Sequence, residues 1–209
     1  MPERPAPDAL TLGFDTSAAH CAAALLRGDR VLVQRHEDMA KGQAERLFPL
    51  LAEVLAEAGA DWRDLSVIGV GTGPGNFTGI RIAVAAARGL ALSLGIPAVG
   101  VGLTQAAALD LPRPCRIALP ARGDEVIWQD FAATDGLTDG AIDGPPAQAP
   151  RHALPPGPPP AVPLYPTAVA IARIARDRGG QPDLPRPAPI YLRPADAAPA
   201  RDRGPVILT

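Results

Sequence analysis

The sequence predicts an α/β protein: a mixed sheet with flanking helices. Three observations lead there. Three short apolar runs follow one another near the start, the second and third joined by the turn-like Arg27-Gly28-Asp29-Arg30. Strand-like and helix-like segments then alternate up to about residue 110, the pattern of β-α-β crossovers. Near residue 135 the composition changes from Ala, Leu, Val and Gly to proline, so the second part is built on other terms.

Residues 1–9 read as a loose tail without the apolar core of a signal peptide. Strands are expected at 10–16, 21–26 and 31–36, an antiparallel start. A helix at 43–58 ends at Gly59. A strand at 67–71, a glycine-rich turn at 72–77 and a second helix at 78–94, closed by Gly95, follow. A strand at 98–101, a short helix at 103–109 and a strand pair at 116–120 and 125–132 come next. Asp124 and Glu125 fall in the turn of that pair and need no partner. The prolines between Pro145 and Pro160 exclude helix and central strand, which leaves a loop or polyproline connector. A last helix spans 167–178 and stops at Gly179-Gly180.

This order matches one lobe of the actin-like ATPase (ribonuclease H-like) fold, with a second lobe started and then abbreviated. The expected division is a first lobe at 10–109 and a second, shortened lobe at 110–209 containing a proline-rich connector at 143–166.

Bulk properties narrow the function. The chain has 209 residues, 20 Lys plus Arg against 22 Asp plus Glu, and a net charge of -2. Phosphate contacts supply most of the affinity in nucleic-acid binding, so this balance argues against a chain that holds RNA by itself. Cys21 and Cys115 make no disulfide framework and no zinc spacing, which suits a reducing cytoplasm. No run of 18 apolar residues suggests a membrane span.

Both longer helices carry more apolar surface than one-sided burial requires. In the first, Leu47, Phe48, Leu50, Leu51, Val54, Leu55 and Ala58 spread over roughly 160°, against about 100° for a helix lying on a sheet. Arg46, Glu53 and Glu57 share a narrow strip. In the second, apolar residues cover nearly the whole circumference, interrupted by Arg81, Arg88 and Ser93, while Gly89 and many alanines permit close backbone approach. Intrachain cover by a second lobe or the last helix is one account. A subunit interface built from both helices is the other; its candidate residues are Leu47, Leu50, Leu51, Val54, Arg81, Val84, Ala85 and Arg88.

Two motifs bear on ligand binding. Gly71 to Gly79 links a strand to a helix, where glycine allows φ > 0 and helix amides can hold an anion. It is no Walker loop and no dinucleotide fingerprint. A tight turn that only packs helix against sheet explains it as well. Asp15-Thr16-Ser17 ends the first strand, where an actin-like fold faces phosphate and metal; a local Asx-type turn is the alternative. Asp15, Thr16, Gly73, Gly75 and Asn76 are therefore the nucleotide-proximal candidates. His20, His36 and His152 are scattered and read as solvated. No catalytic or metal-ligating residue is assigned.

The stretch Gly73-Pro-Gly-Asn-Phe-Thr-Gly-Ile-Arg-Ile82, with Leu12-Gly-Phe-Asp-Thr-Ser17, Ala121-Arg122 followed by Glu125-Val126, and Pro189-Ile-Tyr-Leu-Arg193, resembles the TsaB (YeaZ) family. The resemblance covers about residues 10–132 and the short late motif. It implies an actin-like fold and a non-catalytic subunit that docks and activates a catalytic relative, TsaD, with an ATPase, TsaE. The assembly transfers threonylcarbamoyl to the adenosine next to the anticodon of tRNA, so tRNA is met only through the complex. The resemblance also implies pairing through the two over-apolar helices and a homodimer when the partner is absent. No cofactor is implied beyond a weak or shared adenine nucleotide. The catalytic relative has a His-x-x-x-His metal pair where this chain has Leu103 and Ala107. Pro120 replaces the family's Asp, and 135–165 is short where relatives have more sheet and helix. The competing expectation is a chain acting alone as an actin-like ATPase or kinase, or as a metallopeptidase-like enzyme.

Overall fold

The computed structural model describes residues 8–133 and 143–192. The loose tail expected at 1–9 lies almost wholly outside them. The elements are β1 (Leu10–Asp15), β2 (His20–Arg27), β3 (Arg30–Asp38), α1 (Gln43–Glu57), β4 (Leu65–Gly71), α2 (Phe77–Leu94), β5 (Ala98–Val101), α3 (Leu103–Ala107), β6 (Cys115–Pro120), β7 (Glu125–Phe131), β8 (Ala147–Pro150) and α4 (Thr167–Arg178). Short 3-10 turns sit at Trp62–Asp64 and Arg151–Ala153.

β1 to β5 form one sheet in the order β3-β2-β1-β4-β5. The β1-β2 and β2-β3 pairs are antiparallel, and β1-β4 and β4-β5 are parallel. This is the mixed sheet of the actin-like ATPase fold. Side chains alternate across a strand, and β1, β2 and β4 are buried on both faces. Leu10, Leu12 and Phe14 with Cys21, Ala23 and Leu25 point toward α1 and α2. Ala22, Ala24 and Leu26 point the other way, onto Ala168, Val169 and Ala172 of α4. Val67, Val99 and Val101 meet Ala170, Ile171, Ile174 and Ala175 on that same side. A sheet covered on both faces reads as near-continuous apolar runs, as β1 and β2 do.

α4 packs across the expected division between 10–109 and 110–209. It lies within 110–209, yet it packs on β1, β2 and β4 of the first sheet. The approach is very close. A Cβ at Gly13 would sit 2.5 Å from the Ala168 carbonyl and 2.7 Å from Ala172 Cβ, and one at Gly69 2.7 Å from Ala175 Cβ. Glycines on the strands and alanines on the helix let the two backbones meet. β6, β7 and β8 form a second, antiparallel sheet, whose Cys115, Ile117 and Phe131 pack with Ala107 of α3 and Ala108.

The proline-rich connector is also more ordered than expected. β8 is an edge strand that ends at Pro150, and an edge tolerates proline because one side of the strand needs no donors. The following segment is tied down by Arg116, a buried residue of β6. Its Nε and Nη2 donate to the two Asp130 carboxylate oxygens at 2.6 and 2.7 Å, and its Nη1 donates to the Pro155 carbonyl at 2.6 Å. Ala161 N donates to the Arg116 carbonyl at 2.8 Å. Glu125, expected in a turn, opens β7 and accepts a hydrogen bond from Gln148.

Two outcomes follow. Gly13→Ala forces α4 off the sheet and lowers stability by about 1–3 kcal/mol, measured by chemical denaturation. Asp130→Asn removes a charge-assisted pair from a buried guanidinium, a loss of about 1.5–3 kcal/mol. Arg116 holds the Asp130 carboxyl below its ordinary value. Its stabilisation is thus full above pH ~4 and fades as the pH falls through the lowered folded value; the Asn variant lacks that acid limb in a pH series of unfolding midpoints.

Candidate functional site

The glycine loop and the end of β1 come together, as the sequence suggested, but they close on each other. Asn76 caps α2: its Oδ1 accepts from Thr78 N and Gly79 N at 3.0 and 3.1 Å. Asn76 N donates to the Ser17 carbonyl at 2.6 Å, and Thr16 Oγ1 donates to the Gly79 carbonyl at 2.7 Å. A Cβ on Gly75 or Gly79 would overlap the Ser17 and Thr16 carbonyls. Gly73, at φ 87°, presses against Ile80 and the Ile190 carbonyl. The amides of Asn76, Thr78 and Gly79 are thus committed to the chain's own atoms.

Asp15 is fully buried. Its Oδ2 accepts from Ser17 N at 3.1 Å and Ser17 Oγ at 2.8 Å, and it lies 2.8 Å from His20 Nε2. Oδ1 is buried against Gly71 without a hydrogen-bond partner. His20 is therefore no solvated surface residue. It bridges Asp15 to the His36 ring, 4.7 Å away between centroids. Its spacing from Asp15 in the sequence held no periodic signal; the β1-β2 connection creates the pair. Among the described residues, no three His, Cys, Asp or Glu side chains gather to hold a metal. Leu103 and Ala107 are buried at the two ends of α3.

The helix pair divides its apolar surface. Of the interface candidates from the sequence, Leu47, Leu50, Leu51 and Val54 are buried in the core beneath α1 and α2, and Val84 is buried as well. The reason is the breadth of the sheet face they cover, which takes up one arc of each helix. Arg81, Ala85 and Arg88 are exposed. The outward arc also contains residues that the candidate set missed. Phe48 is 47% exposed and Leu92 87%. Ala44, Phe48, Ile82, Ala85, Gly89, Leu90 and Ser93 line an apolar groove of about 390 Å³ between the helices. Their signal was present on the helical wheel, which shows how much apolar surface there is without showing which arc the sheet takes. By length and composition α2 is apolar enough to cross a membrane, but only a third of it is buried in the protein, and its inner arc lies on the core.

Charges frame this face. Arg46 donates to both carboxylate oxygens of Glu37 at 2.7 Å and to Glu53 at 2.6 Å. Those hydrogen bonds hold the Glu37 and Glu53 carboxyls below their ordinary values. Arg35 pairs with Glu57. The charged strip of α1 thus faces β3, leaving the groove apolar. At the other end, the late motif returns to α2. Ile190 N donates to the Thr72 carbonyl at 2.8 Å, the Tyr191 ring lies 4.8 Å from Phe77, and Arg81 Nε donates to Tyr191 Oη at 2.8 Å. Arg81 also stacks over Phe77 at 3.7 Å.

Comparison with known proteins agrees with this architecture. Residues 35–188 match the family described as TsaD: tRNA N6-adenosine threonylcarbamoyltransferase. YeaZ from Pseudomonas aeruginosa superposes with a TM-score of 0.57 at 33% identity, over 71% of this chain and 72% of that one. The chain belongs to this family, among its TsaB (YeaZ) members. A second Pseudomonas aeruginosa structure, described as similar to peptidase YeaZ, gives a TM-score of 0.69 at 27% identity, over 88% of this chain and all of that one. The TsaB protein of Escherichia coli is 31% identical over 57% of this chain and 54% of its own length. An uncharacterised protein of Mycobacterium leprae is 30% identical over 95% of this chain; the match spans 59% of that protein.

Two glycines of α2 give opposite outcomes. Gly79→Ala drives a methyl into the Thr16 carbonyl and lowers stability by about 1–3 kcal/mol. A Cβ at Gly89 meets nothing, so Gly89→Ala leaves stability unchanged or raises it by up to about 1 kcal/mol. Urea unfolding of both variants checks the contrast.

Proposed function

We propose that this chain is a non-catalytic docking and activating subunit of an assembly that transfers threonylcarbamoyl to adenosine in tRNA. It pairs with the catalytic TsaD relative through the outward face of α1 and α2. The observation that carries the reading is that face: a helix pair whose inner arcs already satisfy the sheet, yet whose outer arcs keep Phe48, Ile82, Leu90 and Leu92 apolar and partly or fully exposed. A contiguous apolar patch of this kind marks a protein interaction site. Gly89 and Ala85 allow a partner helix to come close. TsaE and tRNA join through the complex, which suits a chain with a net charge of -2. The cytoplasm, where tRNA is modified, is the compartment.

An ATPase, kinase or peptidase acting alone fits the residues less well. Nucleotide or metal would have to displace the hydrogen bonds that Asp15, Thr16 and Asn76 already make within the chain. Leu103 and Ala107 supply no metal donor. On this reading the chain needs no cofactor, and an adenine nucleotide is at most weakly bound or shared with the partner. A second copy of the chain can use the same helix face when the catalytic partner is lacking.

The test mixes this chain with the catalytic relative from the same organism and follows threonylcarbamoylation of tRNA. Val84→Glu is unsuitable because Val84 is in the core. Ala85→Glu, on the exposed arc, keeps the unfolding midpoint and lowers both association and activity at least tenfold. Leu164→Glu, exposed on the proline-rich segment, leaves both intact. Modification or ATP turnover by this chain alone contradicts the proposal.

A further inference from the structure

Arg81 is held like a residue with a partner, yet it meets no acid among the described residues. Phe77 and Arg81 stand one turn apart on α2, an i, i+4 pair. The guanidinium carbon lies 3.7 Å from the centre of the Phe77 ring and 5.7 Å from that of Tyr191. Nε donates to Tyr191 Oη at 2.8 Å. Tyr191 is itself fixed: its ring packs on Phe77 at 4.8 Å, and the preceding Ile190 donates its N–H to the Thr72 carbonyl. The late motif thus comes from a distant part of the chain to seat one exposed side chain.

Arg35, Arg46, Arg113, Arg116, Arg173 and Arg176 all pair with carboxylates. Arg81 is as firmly seated, but its Nη1 and Nη2 make no hydrogen bond or ion pair to a described residue. Ordering a long exposed side chain costs rotamer entropy. Here that cost is met in advance by the two rings, so the fork can donate through both terminal nitrogens with little further loss.

The surroundings select the anion. Ile82 and Ala85, next along α2, line the apolar groove, so an anion at Arg81 is met at the rim of an apolar contact. A phosphate backbone is held by several cations in a row. The next arginine along α2 is Arg88, seven residues on, about 10 Å away along the helix axis. A lone oriented guanidinium beside an apolar surface suits a single protein carboxylate, and arginine is prominent among the residues that dominate interface energies.

We infer that Nη1 and Nη2 of Arg81 donate to a carboxylate of the catalytic partner at the rim of the α1-α2 groove, with Phe77 and Tyr191 positioning Arg81 for it. This rests on reading the helix face as the docking surface. The groove supplies apolar contact, and the Arg81 pair fixes the orientation of the partner and excludes partners without the acid.

Calorimetry on the full chain and the catalytic relative, without nucleotide or tRNA, tests this. Arg81→Gln weakens association about tenfold or more and keeps the unfolding midpoint. Arg81→Lys recovers only part of the loss, since lysine has the charge without the fork. Tyr191→Phe keeps the ring and removes the hydroxyl; it weakens association about threefold, and adds nothing once Arg81 is Gln. Each Asp and Glu on the relative's facing helices is then changed to its amide. One such change weakens binding of the native chain and leaves that of Arg81→Gln unaltered. Unchanged affinity in Arg81→Gln, with Ala85→Glu still weakening association, overturns the inference and leaves the docking face standing. Full recovery by lysine overturns it, as does the lack of any coupled carboxylate. An Arg81 effect that needs adenine nucleotide or tRNA assigns the fork to phosphate and overturns it too. If the native chain does not bind the relative at all, the docking reading has failed and the inference falls with it.

Discussion

The structure depends on one constraint: the five-stranded sheet must be covered on both faces. β1, β2 and β4 are apolar on both sides, and the two covers differ in their contacts. α4 presses backbone to backbone against Gly13 and Gly69 with a row of alanines, so that side is filled and closed. On the other side α1 uses Leu47, Leu50, Leu51, Val54 and Leu55 and α2 uses Ala83, Ala86 and Ala87, and two helices laid on a sheet leave a groove above themselves. That asymmetry sets where the molecule can act. One face is finished, and the other offers a second layer.

The same close packing accounts for the state of the glycine loop. In an actin-like lobe the end of β1 and the start of α2 stand where phosphate is expected. Here the loop's glycines are used to bring α2 against Thr16 and Ser17, and Asn76 satisfies the helix amides. The loop joins β1 to α2 through these contacts. Asp15 is retained at the centre of that joint, held by Ser17 and His20, and its second oxygen is enclosed by Gly71. Buried carboxylates with an unpaired oxygen are costly, so the hydrogen bonds to Oδ2 and the surrounding packing must offset it.

Much of this was legible in the sequence. The mixed sheet, its crossovers, the two long helices and the late helix follow from hydrophobic periodicity and from the glycines at helix ends. The tightness of the glycine loop was one of two open alternatives. What could not be read was long-range. Nothing local to residues 167–178 says that they cover β1, β2 and β4 rather than the second sheet. A wheel counts apolar residues but does not say which arc the sheet takes, so Leu47, Leu50, Leu51, Val54 and Val84 were indistinguishable from Phe48 and Ile82. Proline content correctly excluded a central strand at 147–150 but not an edge strand, and it hid the clamp that Arg116 places on the segment beyond. The His20–Asp15 pair arises only once β1 and β2 fold back on each other.

The central claim is that the outward arc of α1 and α2 is the working surface of this protein. Hydrogen exchange on the chain, free and with the catalytic relative, tests it most directly. The account predicts added protection concentrated on the amides of α1 and α2, with the glycine loop and the β6-β7-β8 sheet unchanged. Protection at the Asp15–Asn76 joint or on the second sheet, with both helices unaffected, would contradict it.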